Sequence, residues 1–317
     1  MDLAGKDVAG NGGDEERIAV HDLEQPFRHQ EQPPAAEHVS RRLAIGHLIR
    51  EVVVEVVSSF IVVFWSCVAA LMQEMHGTLS FPLVCLAVAL VVAFVLGWIG
   101  PAHLNPAVTV TFAAFGYFPW PKLPLYALAQ LAGSVLACLS VNGVMQPRED
   151  HFYGTAPMVP GHTRLPFLLE FLASAVLMVV ISNVARSSAN SASDFDGMWG
   201  RNNNNLNLVV NNNAQSKAVG GLAIGAAVGS LGLVIGPVSG GSMNPVRTLG
   251  PALVLGRYDS LWIYLVAPVS GMLLGALCNR LARSADAIVA FLFAGDALAA
   301  KRALVPSGVA AVVASQS

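Results

Sequence analysis

The chain has 317 residues, of which 54% are hydrophobic and 12% charged, and its formal net charge is −2. A soluble globular protein has about twice that share of charged residues, so the composition excludes an ordinary soluble domain and favours a protein embedded in a bilayer. The near-neutral charge gives no sign of the basic surface that a nucleic-acid partner requires.

The first 44 residues are polar, acidic and proline-containing. Such a composition is typical of a disordered tail, and it lacks the apolar core of a cleavable signal peptide. We therefore expect residues 1–44 to be a disordered tail that precedes the first membrane segment.

Six apolar stretches follow, each of about the 20 residues that a helix needs to cross a bilayer. They lie at about residues 50–72, 80–99, 123–145, 165–185, 218–236 and 261–282. Two further stretches, about 105–115 and 244–255, are too short to cross. The sequence therefore predicts an all-α membrane protein with six transmembrane helices and two half-helices.

Each half-helix begins with an Asn-Pro triplet. Asn105, Pro106 and Ala107 open the first, and Asn244, Pro245 and Val246 open the second. Asn is a favoured N-cap and Pro is favoured at the next position. Two broken helices whose positive ends face a shared path at mid-membrane are typical of solute-conducting proteins, so the triplets predict a pore.

The triplets belong to an internal repeat. Glu55 lies 50 residues before Asn105, and Glu170 lies 74 residues before Asn244. A carboxylate at membrane depth is costly and should face the interior of the helix bundle. We favour a structural role for both, as acceptors for the irregular backbone that leads into each half-helix, over a role in proton transfer.

The additional length of the second half lies at about residues 187–216, a Ser-, Asn- and Gly-rich segment. Two interpretations remain open: an unstructured elaboration or retained non-coding sequence on the one hand, and a cytoplasmic cap that gates the pore on the other. Polar low complexity without basic or hydrophobic anchors favours the first. At the other end, residues 283–317 are expected to form a tail in which about 285–300 lie as an amphipathic helix at the membrane surface.

Orientation follows from the basic residues. If the chain crosses the membrane six times, four of the 18 Lys and Arg fall on one side and the rest on the other. The four are Arg148, Arg164, Arg247 and Arg257. Basic residues concentrate on the cytoplasmic side, so both termini, and the insertion, are expected there. We expect the plasma membrane as the location.

Other chemistry is not indicated. The four cysteines, Cys67, Cys85, Cys138 and Cys278, fall in apolar stretches, where they are expected to be small buried hydrophobes. The sequence has no metal-spaced Cys/His set, catalytic Ser/His/Asp grouping or phosphate loop at a site that could face water. A coupled transporter would need carboxylates near the triplets, and none lies there. We expect no enzyme activity, no cofactor and no metal.

The sequence around both triplets resembles a known family. The segments from His103 to Thr109 and from Gly240 to Pro251 resemble the paired signature motifs of the major intrinsic proteins, the aquaporins and aquaglyceroporins, over about residues 45–282 without the insertion. Phe64 to Cys67 and Ser242 to Pro251 resemble the plant nodulin-26-like subfamily. The resemblance implies a right-handed bundle with an inverted repeat, and a homotetramer with one pore per subunit.

The resemblance also implies a selectivity filter. Its four positions fall at Cys85, Gly232, Gly241 and Arg247, which would make an open ring beside one arginine. Such a ring is similar to that of silicic-acid-conducting relatives and implies small uncharged solutes: boric, silicic and arsenous acid, with glycerol, urea and water as further candidates. The two glycines could instead serve helix packing and loop geometry. A water or glycerol channel of the ordinary type and a folded but closed member are the alternatives.

Three positions depart from the family pattern. Val246 replaces alanine in the second triplet, and Trp98 and Pro101 stand where most members have His and Gly. The valine adds bulk beside the expected constriction, and proline restricts the backbone of the loop. We interpret Trp98 as an interfacial or packing residue, and His103 as a structural histidine rather than a pH sensor.

Overall fold

A computed structural model describes residues 34–159, 161–191 and 206–303, and the surroundings of side chains within 42–159, 161–185 and 215–285. The chain divides into a unit Met1–Gly46, of which only the beginning of the first helix is described, and a second unit His47–Ser317. The described residues form eight α-helices: α1 Pro34–His76, α2 Phe81–Phe94, α3 Pro106–Ala114, α4 Leu123–Met145, α5 Arg164–Ser191, α6 Leu206–Ser239, α7 Pro245–Leu255 and α8 Leu261–Ala303. A turn of π-helix, Val95–Ile99, extends α2, and a 3-10 turn, Trp120–Lys122, precedes α4.

The prediction of six spanning helices is confirmed. The segments long and apolar enough to cross a membrane are Arg42–His76, Phe81–Ile99, Trp120–Met145, Arg164–Ala185, Gln215–Ser239 and Leu261–Ala285. The triplets open two shorter helices of 9 and 11 residues. At about 1.5 Å per residue, each reaches roughly half of a hydrocarbon core about 30 Å thick.

Helices α1 and α8 extend further than the sequence suggested. Helix α1 begins at Pro34, so residues 34–44 are helical where a disordered tail was expected. Proline at a first helical position followed by good helix formers explains this start. Helix α8 runs without interruption to Ala303, which makes residues 285–300 its continuation rather than a separate surface helix.

The insertion is bounded more tightly than expected. Helix α5 ends at Ser191 and α6 begins at Leu206, so both ends of the stretch 187–216 are helical. Residues 192–205, 1–33 and 304–317 lie outside the described residues, and the expectations about a disordered N-terminal tail, an unstructured insertion and the end of the C-terminal tail fall largely there.

Glycines bring the helices of each repeat into close contact. A Cβ added at Gly133 of α4 would lie 2.4 Å from the carbonyl oxygen of Val56 in α1, and one added at Gly271 of α8 would lie 2.1 Å from that of Phe171 in α5. Val56 follows Glu55, and Phe171 follows Glu170. The same backbone approach therefore recurs in both halves, as small residues permit between membrane helices.

Candidate functional site: the central pore

The two asparagines form helix caps, as the sequence predicts. The Oδ1 atom of Asn105 accepts a hydrogen bond from the Ala107 backbone N–H at 2.9 Å, and that of Asn244 accepts one from Val246 N–H at 3.0 Å. Pro106 and Pro245 each occupy the first helical position, where a missing N–H is harmless. Both half-helices thus begin at an asparagine with the same local geometry.

The asparagines also join the two halves. Asn105 Nδ2 donates to the carbonyl oxygen of Met243 at 2.8 Å, and Asn244 Nδ2 donates to that of Leu104, also at 2.8 Å. Each of these carbonyl groups belongs to the residue that precedes the other asparagine. The positive ends of α3 and α7 therefore meet at a reciprocal pair of hydrogen bonds, with one amide hydrogen of each Nδ2 left over.

Glu55 holds the loop that enters α3. Its carboxylate is 1% exposed and accepts hydrogen bonds from the backbone N–H groups of His103 at 2.5 Å and Leu104 at 3.0 Å. Gln130 Nε2 of α4 donates to the same carboxylate at 2.9 Å. These are the contacts that a structural role requires, since backbone donors at membrane depth need partners.

Glu170 makes the matching contacts in the second half. It is fully buried and accepts from the backbone N–H groups of Ser242 at 2.9 Å and Met243 at 2.7 Å. The Ser239 hydroxyl donates to it at 2.7 Å. Serine from the end of α6 thus supplies the third donor that Gln130 supplies in the first half.

The residue before each asparagine has a left-handed backbone. Leu104 has φ 61° and Met243 has φ 51°, a conformation that costs a residue with a Cβ about 1–2 kcal/mol. In both, the N–H donates to a glutamate and the carbonyl accepts from the opposite asparagine. The carboxylates and asparagines together therefore stabilise a strained turn that aims each carbonyl at the other half.

A cavity runs beside these groups. It has a volume of about 100 Å³ and is lined by both asparagines, by Gly241 and Arg247, and otherwise mostly by aliphatic side chains. A single water molecule needs about 10–15 Å³ by this measure. The cavity therefore has room for several waters or for one small hydroxylated molecule.

The structure brings three of the four predicted filter residues together. Gly241 and Arg247 line the same cavity, and a Cβ added at Gly241 would lie 3.4 Å from the Gly232 Cα atom. Gly232 faces open space, since nothing lies within 4 Å of an added Cβ. The fourth residue, Cys85, is buried in α2, and its carbonyl oxygen packs against Gly229, one turn before Gly232.

The two glycines differ in what they require. Gly241 has φ +66° and crowds Gly232 and Gly236, so its backbone conformation alone demands glycine. The interpretation as loop geometry therefore fits Gly241. Gly232 has a helical backbone and no neighbour to avoid, so helix packing does not explain it.

Arg247 is held by a residue that sequence reasoning missed. Its Nη1 donates to the carbonyl oxygen of Tyr153 at 3.3 Å, in the loop between α4 and α5. The Tyr153 side chain is fully buried and its hydroxyl donates to Asn142 Oδ1 at 2.6 Å. Burial raises the pKa of Tyr153, so the phenol stays protonated and anchors the loop. Tyr153 and Arg247 are 94 positions apart in the sequence, so no local pattern could predict this contact.

Hydroxyl groups support the second half-helix. Ser134 of α4 donates to the Val246 carbonyl oxygen at 2.7 Å. Thr155 hydrogen-bonds Thr248, whose hydroxyl lies 2.7 Å from that of Ser242. These buried contacts tie α7 to α4 and to the loop that carries Tyr153.

The departures from the family pattern do not obstruct the cavity. Val246 is buried and, with Ala107, is absent from the described residues that line the cavity. Trp98 is 75% exposed on the outside of the bundle, and Pro101 is exposed, so its missing donor costs little. His103 is buried, with Nδ1 3.0 Å from the Thr109 hydroxyl.

The family follows from comparison with known proteins. The profile described as "Major intrinsic protein" matches residues 43–198 and 206–279. The chain belongs to this family. It is 63% identical over 303 residues to "Aquaporin NIP4-1" of Oryza sativa subsp. japonica, covering 92% of this chain and 95% of the relative. It is 33% identical to "Aquaporin NIP1-3" of the same organism, covering 90% and 93%.

A solved structure shares the fold. The X-ray structure of the aquaglyceroporin from Plasmodium falciparum superimposes with a TM-score of 0.52 at 22% sequence identity, covering 72% of this chain and 93% of that one. The predicted family and the aquaporin-like all-α fold are thus confirmed. This NIP-type major intrinsic protein is a multi-pass membrane protein and a passive channel for small solutes, not an enzyme.

Proposed function

We propose that this channel conducts small uncharged hydroxylated solutes, namely boric, silicic and arsenous acid together with glycerol, urea and water, and excludes cations and protons. The observation that carries the proposal is the open space at Gly232, which is adjacent to Gly241, a residue that lines the cavity together with Arg247. A ring in which two of the four positions have no side chain leaves room beside the guanidinium for a solute broader than water.

Hydrogen bonding at mid-membrane supports passage of hydroxylated solutes. Asn105 and Asn244 keep one amide hydrogen each beyond the bonds to Met243 and Leu104. The Ser59 hydroxyl, which the sequence reading overlooked, lines the same cavity and has no hydrogen-bond partner among the described residues. These groups replace water around a hydroxyl that passes between them.

Electrostatics supports exclusion of cations. The N-termini of α3 and α7 carry partial positive charge at the cavity, and Arg247 adds a full charge. A cation or hydrated proton there is repelled and gains little from an aliphatic wall, whereas a neutral solute only aligns its dipoles.

The remaining residues have supporting roles in this proposal. Glu55 and Glu170 hold the loops that enter the half-helices. The first turn of each half-helix is shaped by the remaining triplet residues, Pro106, Ala107, Pro245 and Val246. Cys85 completes the ring on the α2 side. Exposed aliphatic side chains such as Leu86, Leu128 and Leu139 suit contact with lipid and with subunits of a homotetramer. We place the termini in the cytoplasm and the Arg247 end outside, in the plasma membrane.

Purified protein in vesicles tests the proposal. Swelling or uptake is measured for water, glycerol, boric acid and silicic acid against empty vesicles, with Arg247→Ala in parallel. We expect boric acid and glycerol to enter faster than into empty vesicles. Entry of water alone would overturn the open filter, and entry of none of the four would overturn the channel proposal.

A further inference from the structure

The inverted repeat lets the two ends of the cavity be compared residue by residue. Arg247 lies three residues after Asn244, and Val108 lies three after Asn105. Ser66 and Ile181 each lie eleven residues after the glutamate of their half. All four line the cavity. The arginine and serine of one end are therefore replaced by valine and isoleucine at the other.

Two more aliphatic side chains join Ile181 at that end. Leu96 of the π-helical turn and Ile224 of α6 also line the cavity, and all three are under 8% exposed. We call Leu96, Ile181 and Ile224 the aliphatic collar.

Contacts between the helices bring the collar together. A Cβ added at Gly220 would lie 2.6 Å from the Val184 side chain, so α5 and α6 touch there. Ile181 and Ile224 lie one turn nearer the middle of those two helices. A Cβ at Gly221 would lie 2.7 Å from the backbone nitrogen of Gly97, which sets α2 against the other side of α6. Added Cβ atoms at Gly221, Gly225 and Gly229 meet Gly97, Ala93 and Ala89 in turn, so α2 and α6 are antiparallel and Leu96 lies about one turn further out than Ile224. The collar is therefore staggered over about one helical turn.

We infer that the aliphatic collar, and not the ring beside Arg247, is the barrier that selects solutes by size and hydration. The inference rests on the proposed conduction of uncharged solutes. Eight residues of α6 separate Gly232 from Ile224, which places the collar roughly 12 Å further along the pore. At the ring two positions have no side chain, whereas at the collar three helices each contribute a branched one.

The collar acts through desolvation as well as size. Its side chains offer no hydrogen bond, so a solute must shed water there without compensation. The polar side chains that line the cavity belong to other positions, namely Ser59, Ser66, His103, Ser242, Arg247 and the two asparagines. An apolar constriction of this kind also interrupts a chain of waters. Broad or strongly hydrated solutes that pass the ring are stopped at the collar.

The test uses uncharged polyols of increasing length, glycerol and then erythritol, in vesicles that contain the full chain. We expect Ile181→Ala and Ile224→Ala to raise the erythritol permeability about tenfold, with a smaller rise for glycerol, because each removes several buried methyl or methylene groups from the barrier. The matched controls Leu172→Ala and Leu222→Ala truncate exposed side chains of the same two helices and leave the erythritol-to-glycerol ratio unchanged.

Conservative variants guard against loss of folding. Ile181→Val and Ile224→Val remove one methylene each and should give a smaller rise of the same sign. If the unmodified channel conducts glycerol but the collar variants have the same erythritol-to-glycerol permeability ratio as the unmodified channel, the collar is not the selective barrier. The channel proposal would then still stand. Flux only in the collar variants would support the collar and overturn conduction by the unmodified chain. No flux in any variant would overturn both.

Discussion

The two halves of this channel share a scaffold and differ at the mouths of the pore. In each half a buried glutamate accepts two backbone N–H groups, and a left-handed residue presents its carbonyl to the opposite asparagine. Beyond that level the second half has Arg247 where the first has Val108, and the first has Ser66 where the second has Ile181. Repeat symmetry thus maintains the fold, and we propose that selectivity arises where the symmetry is broken.

The buried glutamates, which the two halves share, should be the most sensitive positions to substitution. Glu55→Gln and Glu170→Gln each turn one acceptor oxygen into a donor that faces buried N–H groups. An unsatisfied buried group costs about 1–3 kcal/mol, so each variant should lose several kcal/mol of stability, equally in both halves. The yield and thermal stability of detergent-purified protein measure this.

Asp150→Asn is the control for the glutamates. Asp150 pairs with Arg148 on the surface, with both side chains largely exposed, and such pairs contribute about 0–1 kcal/mol. A glutamate variant as stable as this control would contradict the structural role of that carboxylate, and a large effect in one half alone would contradict the symmetry.

The next effect tests the helix contacts of the repeat. Gly133→Ala and Gly271→Ala place a methyl group against the carbonyl groups of Val56 and Phe171, and overpacking of this kind costs about 1–3 kcal/mol. Gly143→Ala on α4 is the control because nothing lies within 4 Å of its added Cβ, and it should be neutral or slightly stabilising. Equal thermal stability of all three variants would refute the close approach.

Arg247→Ala tests a position at which the two halves of the channel differ. Loss of the guanidinium should raise cation permeability on the order of tenfold, equivalent to about 1.4 kcal/mol of barrier, with boric acid flux retained. Arg257→Ala is the control, since that exposed side chain stacks on Phe152 and donates to a loop carbonyl. Ion-sensitive dyes in vesicles report the leak. A leak of equal size in both variants would argue against a specific role for Arg247.

The smallest effect separates the two glycines of the ring. Gly241→Ala forces a Cβ into a left-handed backbone and should cost about 1 kcal/mol. Gly232→Ala should preserve or raise stability, because alanine is the better helix former, while it narrows the ring. Thermal stability in detergent distinguishes the pair, and equal losses would mean that Gly232 is also a packing residue.

Local signals explain which parts were predictable. The six spans follow from apolar length, and the half-helices follow from Asn-Pro caps, which depend only on neighbouring residues. Gln130, Ser134 and Tyr153 were missed because their partners lie 75, 112 and 94 residues away. The start of α1 at Pro34 was missed because the polar composition of residues 1–44 indicated a disordered tail, although good helix formers follow Pro34.

Boric acid and proton flux, measured in the same vesicles, test most directly whether the pore conducts neutral solutes and excludes protons. We expect boric acid entry well above that of empty vesicles, with proton flux at the level of empty vesicles. Proton flux that rises together with boric acid entry, or boric acid entry no faster than in empty vesicles, would contradict this expectation.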